Sequence, residues 1–138
     1  MKKLPIAFLT ILLFSSPVWG DNAAVSAAQS TIRAQIEAFL AGDDAAAYDL
    51  AAPSIRQIFP SEEIFMRMVR EGYPAVHRPH SFDFGAGESD GAGTVVQRVD
   101  LIGPDGRGYE AVYTLELQPD GRYRITGVHL RESQSLGT

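Results

Sequence analysis

Hydrophobic and polar positions follow a helical period over one half of the chain and a period of two over the other. Ala28, Ile32, Ile36, Phe39 and Leu40 recur at helical spacing, with Arg33, Gln35 and Glu37 off that stripe, which predicts an amphipathic helix. Gly42 is placed to end it, and Asp43 or Asp44 to cap a short second helix through Ala47, Leu50 and Ala51 that Pro53 stops. Ser54 to Phe59 is expected to add one further turn. Ser61 then caps a third helix, with Glu62 and Glu63 in its first turn, Arg67 and Arg70 near its end and Gly72 past it, charges that suit the helix dipole. Ile64, Phe65 and Met68 are expected to form its buried face.

From Ser81 onward the period is two. Phe82 and Phe84 begin a strand, and Gly85 to Gly93 reads as a loose, glycine-rich turn. Val95, Val99 and Leu101 alternate with Val96, Arg98 and Asp100 in a second strand. The turns Pro104-Asp105-Gly106 and Pro119-Asp120-Gly121 bound a third, with Tyr109, Ala111, Tyr113, Leu115 and Leu117 on one face. In the last strand, Tyr123 to Leu130, Tyr123 and Ile125 share one parity while Val128 and Leu130 share the other. A bulge at Gly127 is the economical way to restore the register. The predicted class is α+β, with three N-terminal helices packed on a curved antiparallel sheet of about four strands.

The N-terminus has a different character. Met1-Lys2-Lys3, an apolar stretch from Leu4 to Phe14 and then Pro17 before Val18-Trp19-Gly20 have the layout of a secretory signal. The apolar run is shorter than the roughly 20 residues of a membrane span. Cleavage is expected before Asp21, with Val25-Ser26-Ala27 as a second possible site, leaving a periplasmic or secreted protein without a stable membrane anchor. Residues 21–24 and 134–138 are expected to be loose ends. Of the 12 basic residues, two are the lysines Lys2 and Lys3; the other ten, all Arg, face 17 carboxylates, a net charge of −7. That balance argues against nucleic acid or an anionic membrane as partner. The absence of Cys excludes a disulfide scaffold and attachment through an N-terminal Cys.

Gly72-Tyr73-Pro74-Ala75-Val76-His77-Arg78-Pro79, after a first helix of the type Ile32-Arg33-Ala34-Gln35-Ile36-Glu37-Ala38-Phe39, forms a fairly specific element. With the strand Val96-Gln97-Arg98 and the closing run Arg122 to Leu130, it resembles a bacterial domain-of-unknown-function family, number 4864, of small exported proteins. The resemblance spans about residues 28 to 131, within a single domain set at 25–132; His77 departs from the aromatic residue of the family pattern. It implies membership of the nuclear-transport-factor-two-like (SnoaL-like, cystatin-like) superfamily: a cone whose curved sheet wraps a long helix and leaves a pocket. It implies no activity, because one fold hosts many functions.

Tyr73, Arg78, Tyr109, Tyr113 and Tyr123 are the candidate pocket residues. The stretch from Tyr73 to Pro79 reads foremost as a stiff, extended connection around the cone's edge, with Arg78 tied to carbonyl groups or a carboxylate. The competing reading makes it the pocket rim, with Arg78 as an anion clamp. His77 and His80 are not read as metal ligands, since Pro79 denies them helical alignment and no acidic residue completes a compact motif. With a bulge, His129 faces solvent or a partner subunit; without one, it shares a face with Tyr123 and Ile125 and enters the pocket. No catalytic acid or base is assigned: Asp49 and Asp83 are loose candidates, and Asp100 and Glu110 belong to a solvated sheet face. No cofactor motif occurs. The favoured function is non-catalytic binding of an unknown small molecule or protein through the cone pocket or sheet face. Proton-transfer or hydration chemistry in the pocket and a homodimerisation module remain the alternatives.

Overall fold

A computed structural model describes residues 20–133. The expected export signal, apart from its last residue Gly20, and the residues from 134 onward therefore lie outside the described residues. Five helices lead into four strands: α1 (Asp21–Ala41), α2 (Asp44–Asp49), α3 (Pro53–Ile58), α4 (Glu62–Gly72), α5 (Pro74–His77), β1 (Ser81–Ser89), β2 (Thr94–Ile102), β3 (Gly108–Leu117) and β4 (Tyr123–Glu132). The strands form an open antiparallel sheet in the order β1-β2-β3-β4. The predicted α+β class holds, with more helical pieces than expected.

The punctuation follows side-chain chemistry. Gly42 ends α1 in the left-handed conformation, at φ 70°, where a Cβ would be strained. Asp43, rather than Asp44, caps α2 by accepting a hydrogen bond from the Ala46 amide at 3.1 Å. Ser61 does the same for α4 through the Ile64 amide at 3.2 Å. α2 ends at Asp49, short of the expected Ala51, which pairs with Ile125 instead, and Pro53 opens α3, since the first helical turn has no use for the missing N–H.

Several expected positions are corrected. Residues 21–24 are the first turn of α1, and Ala24 is buried in the core. Leu40 is 41% exposed, whereas Gln35 lies on the buried stripe at 4% because it stands three residues after Ile32. On α4 the buried face is Phe65, as expected, with Met66 and Val69; Met68 is partly buried against the core, and Ile64 is 43% exposed, so the stripe is turned from the expected one at that position. The link from Tyr73 to Pro79 is not extended throughout: Pro74 opens the one-turn α5, which ends at His77, and Tyr73 and Arg78, each preceding a proline, leave the helical region. The segment read as a glycine-rich turn is mostly strand. β1 continues to Ser89 through an irregularity between Phe84 and Gly87, and only residues 90–93 turn, held by Asp90 Oδ1 accepting from the Ala92 and Thr94 amides.

β1 can continue because Gly87 has no side chain. A Cβ there would overlap the Gln97 side chain and stand 2.7 Å from Val25 Cγ1 on α1. Gln97 is fully buried at the centre of the sheet's inner face. It donates to the carbonyls of Gly85 (3.0 Å) and Arg98 (2.8 Å) and accepts from Gln29 at 3.1 Å, so one amide fastens β1, β2 and α1 together.

In β4 the register slips between Ile125, opposite Leu115, and Gly127, opposite Thr114, leaving Thr126 as the extra residue. The bulge therefore falls beside Gly127 as predicted. Tyr123 and Ile125 are buried before it, Val128 and Leu130 pack on the core after it, and His129 is exposed on the outer face opposite Val112. Ile125 also pairs with the chain between α2 and α3: its amide donates to Leu50 O (3.0 Å) and its carbonyl accepts from Ala52 (2.8 Å), an isolated bridge at the sheet's edge. α1 crosses the inner face, where Ile32, Ile36 and Phe39 meet Val95, Val99, Tyr113 and Leu115 in one core. Arg33 lies over the Phe82 and Phe84 rings at 5.4 and 5.2 Å, which ties the α1 rim to β1.

The outer face is polar. Glu110 accepts from Arg131 (2.7 Å) and from Arg98 (3.3 Å), and Asp83 stands opposite Asp100.

Candidate functional site

α3 and α4 stand apart from the sheet far enough to leave a cavity of about 240 Å³. α1 supplies Gln35 and Phe39, α3 Ile55 with Phe59 just past its end, α4 Phe65, Met68 and Val69, and β4 Ile125 and Val128. Tyr73, between α4 and α5, completes the polar part of the lining with Gln35. The Phe39 and Phe65 rings stack at 6.4 Å, and Tyr48 packs behind Phe65 at 5.3 Å with its hydroxyl donating to Phe59 O at 2.6 Å. These contacts fix the α3–α4 wall. Asp, Glu, His, Lys and Arg are all missing from the lining.

Of the five predicted pocket residues the structure places only Tyr73 here. Arg78 is exposed and donates to the Leu40 carbonyl at 3.0 Å, so it ties α5 to the end of α1 as the scaffolding reading expected. Tyr109 is drawn away by its own hairpin, donating to Asp105 Oδ2 at 2.6 Å. That bond raises the Tyr109 hydroxyl and lowers the Asp105 carboxyl. Tyr113 is wholly buried beneath α1 and is core. Tyr123 lines a more open, shallow groove of about 370 Å³ with Thr31, whose hydroxyl donates to the Tyr123 carbonyl at 2.9 Å. The inward parity of the three strand tyrosines is right, but the cavity lies beyond the β4 side of the sheet, toward α3 and α4. Ile55, Phe59, Val69 and Val128 went unassigned because their convergence is set by helix packing. The sequence reading sets Gln35 off the apolar stripe; its spacing of three from Ile32 is the signal that could have placed it on the buried side.

The other candidates are dispersed. Asp49 is exposed and faces Arg124 at 3.7 Å; Asp83 and His80 are exposed. His77 is half-buried, 6.0 Å from the Phe39 ring. Burial, then the charges of Arg78 and Arg70, lower its pKa against the opposing pull of Asp44. Among the described residues no three His, Cys, Asp or Glu side chains gather to hold a metal ion, and no helix is long and apolar enough to cross a membrane.

A crystal structure from Kribbella flavida, described as that of a "known function protein", is similar to 80% of this chain over 89% of its own, at 19% identity and a TM-score of 0.43. A likeness at that level carries no argument. Comparison with curated proteins gives no match. The model of the domain of unknown function DUF4864 matches residues 21–138, and on that match the chain belongs to this family.

Proposed function

We propose that the protein is an exported, non-catalytic domain that binds a small apolar molecule between α3, α4 and β4. The carrying observation is the lining itself: aliphatic and aromatic side chains with two polar groups and no acid or base suited to proton transfer. An enzyme of this architecture would need a carboxylate or imidazole within the cavity, and the site offers neither at neutral pH. A helical layer on one face of a curved sheet, enclosing a pocket, supports placement in the SnoaL-like superfamily. The dimer reading is the weaker one, because exposed Val96 and Ile102 on the outer sheet face are separated by Arg98 and Asp100.

Titration with toluene, followed by NMR, tests the binding reading. Resonances of Phe39, Phe65 and Val128 are expected to shift saturably, and Val128→Phe, which fills the cavity, to weaken binding at least tenfold. A parent protein that leaves those resonances unmoved refutes the proposal.

Export is supported by the residue pattern of Met1 to Gly20. Cleavage before Asp21 keeps α1 whole, whereas cutting after Ala27 would remove buried Ala24 and Val25 beside Gly87. Protein recovered from the periplasm is expected to begin at Asp21. An intact Met1 on the exported form contradicts the cleavage.

A further inference from the structure

We infer that the cavity selects an uncharged, single-ring or similarly small apolar molecule bearing one hydrogen-bond donor, and that Gln35 receives that donor. The inference rests on the binding function proposed above and adds the chemistry of the ligand.

Gln35 lies on α1, 4% exposed, and is part of the cavity wall. Its amide nitrogen donates to the Ala47 carbonyl at 3.1 Å. A carbonyl can only accept, so this bond settles which end of the amide is nitrogen. The amide oxygen is left as the free end, and no residue among those described donates to it. It is not among the buried side-chain atoms left without a partner, so it stays reachable from the cavity. A donor arriving through the cavity satisfies it.

The remaining walls set the rest of the ligand. An engineered cavity of about 150 Å³ lined by Leu, Ile and Phe is known to admit benzene. A space of about 240 Å³ therefore holds one ring with a small substituent. Without a cation or carboxylate in the lining, a charged molecule would lose its hydration with no compensating partner. Tyr73 also lines the cavity, and a phenol does not change the charge requirement.

The test compares p-cresol, its near-isostere p-xylene, which lacks the donor, and 4-methylbenzoate, which carries a charge. Each is titrated calorimetrically into the protein purified from the periplasm. The parent is expected to bind p-cresol about five- to tenfold more tightly than p-xylene, the worth of one neutral hydrogen bond, and 4-methylbenzoate more weakly than either. In Gln35→Leu and Gln35→Met the preference for p-cresol is expected to fall below twofold while p-xylene still binds. Reading the ratio within each protein removes any general loss of stability from losing the bond to Ala47. If the parent binds p-cresol and p-xylene equally, or if the preference survives in a folded Gln35 variant, the assignment to Gln35 is wrong and cavity binding stands. If neither neutral ligand binds the parent, the binding function and this inference both fail. Should neither variant fold, the parent's own ratio decides.

Discussion

Replacing Gly87 with Val is expected to lower folding stability by about 3 kcal/mol, the size of an overpacked core. The position does not need unusual dihedral angles, since Gly87 is not among the glycines with positive φ. It needs space. Any Cβ meets the Gln97 amide and stands 2.7 Å from Val25 Cγ1 and 3.1 Å from Gln97 Cδ. Gln97 cannot swing aside cheaply, because it is fully buried and its bonds to Gly85 O, Arg98 O and Gln29 would break. The alternative is withdrawal of α1 from β1. Gly85 is the internal control: a Cβ there finds Arg98 Cβ at 3.5 Å, an ordinary contact, so Gly85→Ala should change stability by no more than about 1 kcal/mol. Urea unfolding of the two variants measures the difference. Equal midpoints would show that β1 does not depend on the close approach at Gly87.

Tyr113→Phe, by contrast, is expected to stabilise the protein by about 1–2 kcal/mol. The Tyr113 hydroxyl is buried without a hydrogen-bond partner among the described residues, and the ring fills the core under α1. Removing the oxygen keeps the ring and removes an uncompensated desolvation. The same site predicts an alkaline signature. Burial raises the Tyr113 pKa, so the folded chain holds this proton after the unfolded chain has begun to lose it near the ordinary tyrosine value of about 10. The contribution is intact below that pH and is lost as pH rises above it. Tyr109 and Tyr123, whose values are also raised, remain in both chains and cancel in the comparison. The advantage of Tyr113→Phe over the parent should therefore widen between roughly pH 9 and pH 11. A variant less stable than the parent at pH 7 would show the hydroxyl to be satisfied in solution.

The features legible from sequence share a local cause. Asp43 and Ser61 cap helices through bonds to amides three residues away, and Gly42 ends α1 by its own dihedral angles. The parity change in β4 could be read because a half-buried strand records its faces residue by residue, and it correctly sent His129 outward. Misreadings arose where a distant partner decides. Gly85 to Gly87 has the composition of a turn, yet it lies within a strand, where Gln97 and Val25 leave no room for a side chain at Gly87. Met66 and Val69 join Phe65 facing inward in place of Ile64, because the elements packed against α4 decide its buried side. The candidate site suffered most: strand parity identified inward tyrosines, but the cavity depends on how far α3 and α4 stand from β4, a distance no single-element pattern contains.

The irregularities at the two ends of the sheet have a consequence for association. β1 and β4 are its edges, and an unbroken edge offers a row of amides and carbonyls on which another strand can template itself. Each is interrupted near its middle, β1 between Phe84 and Gly87 and β4 at Thr126, and the bridge to Ala51 already occupies the backbone of Ile125. An incoming extended peptide would find no continuous ladder on either side. Strand addition and edge-to-edge aggregation are thus disfavoured by the same distortions that shape the inner face.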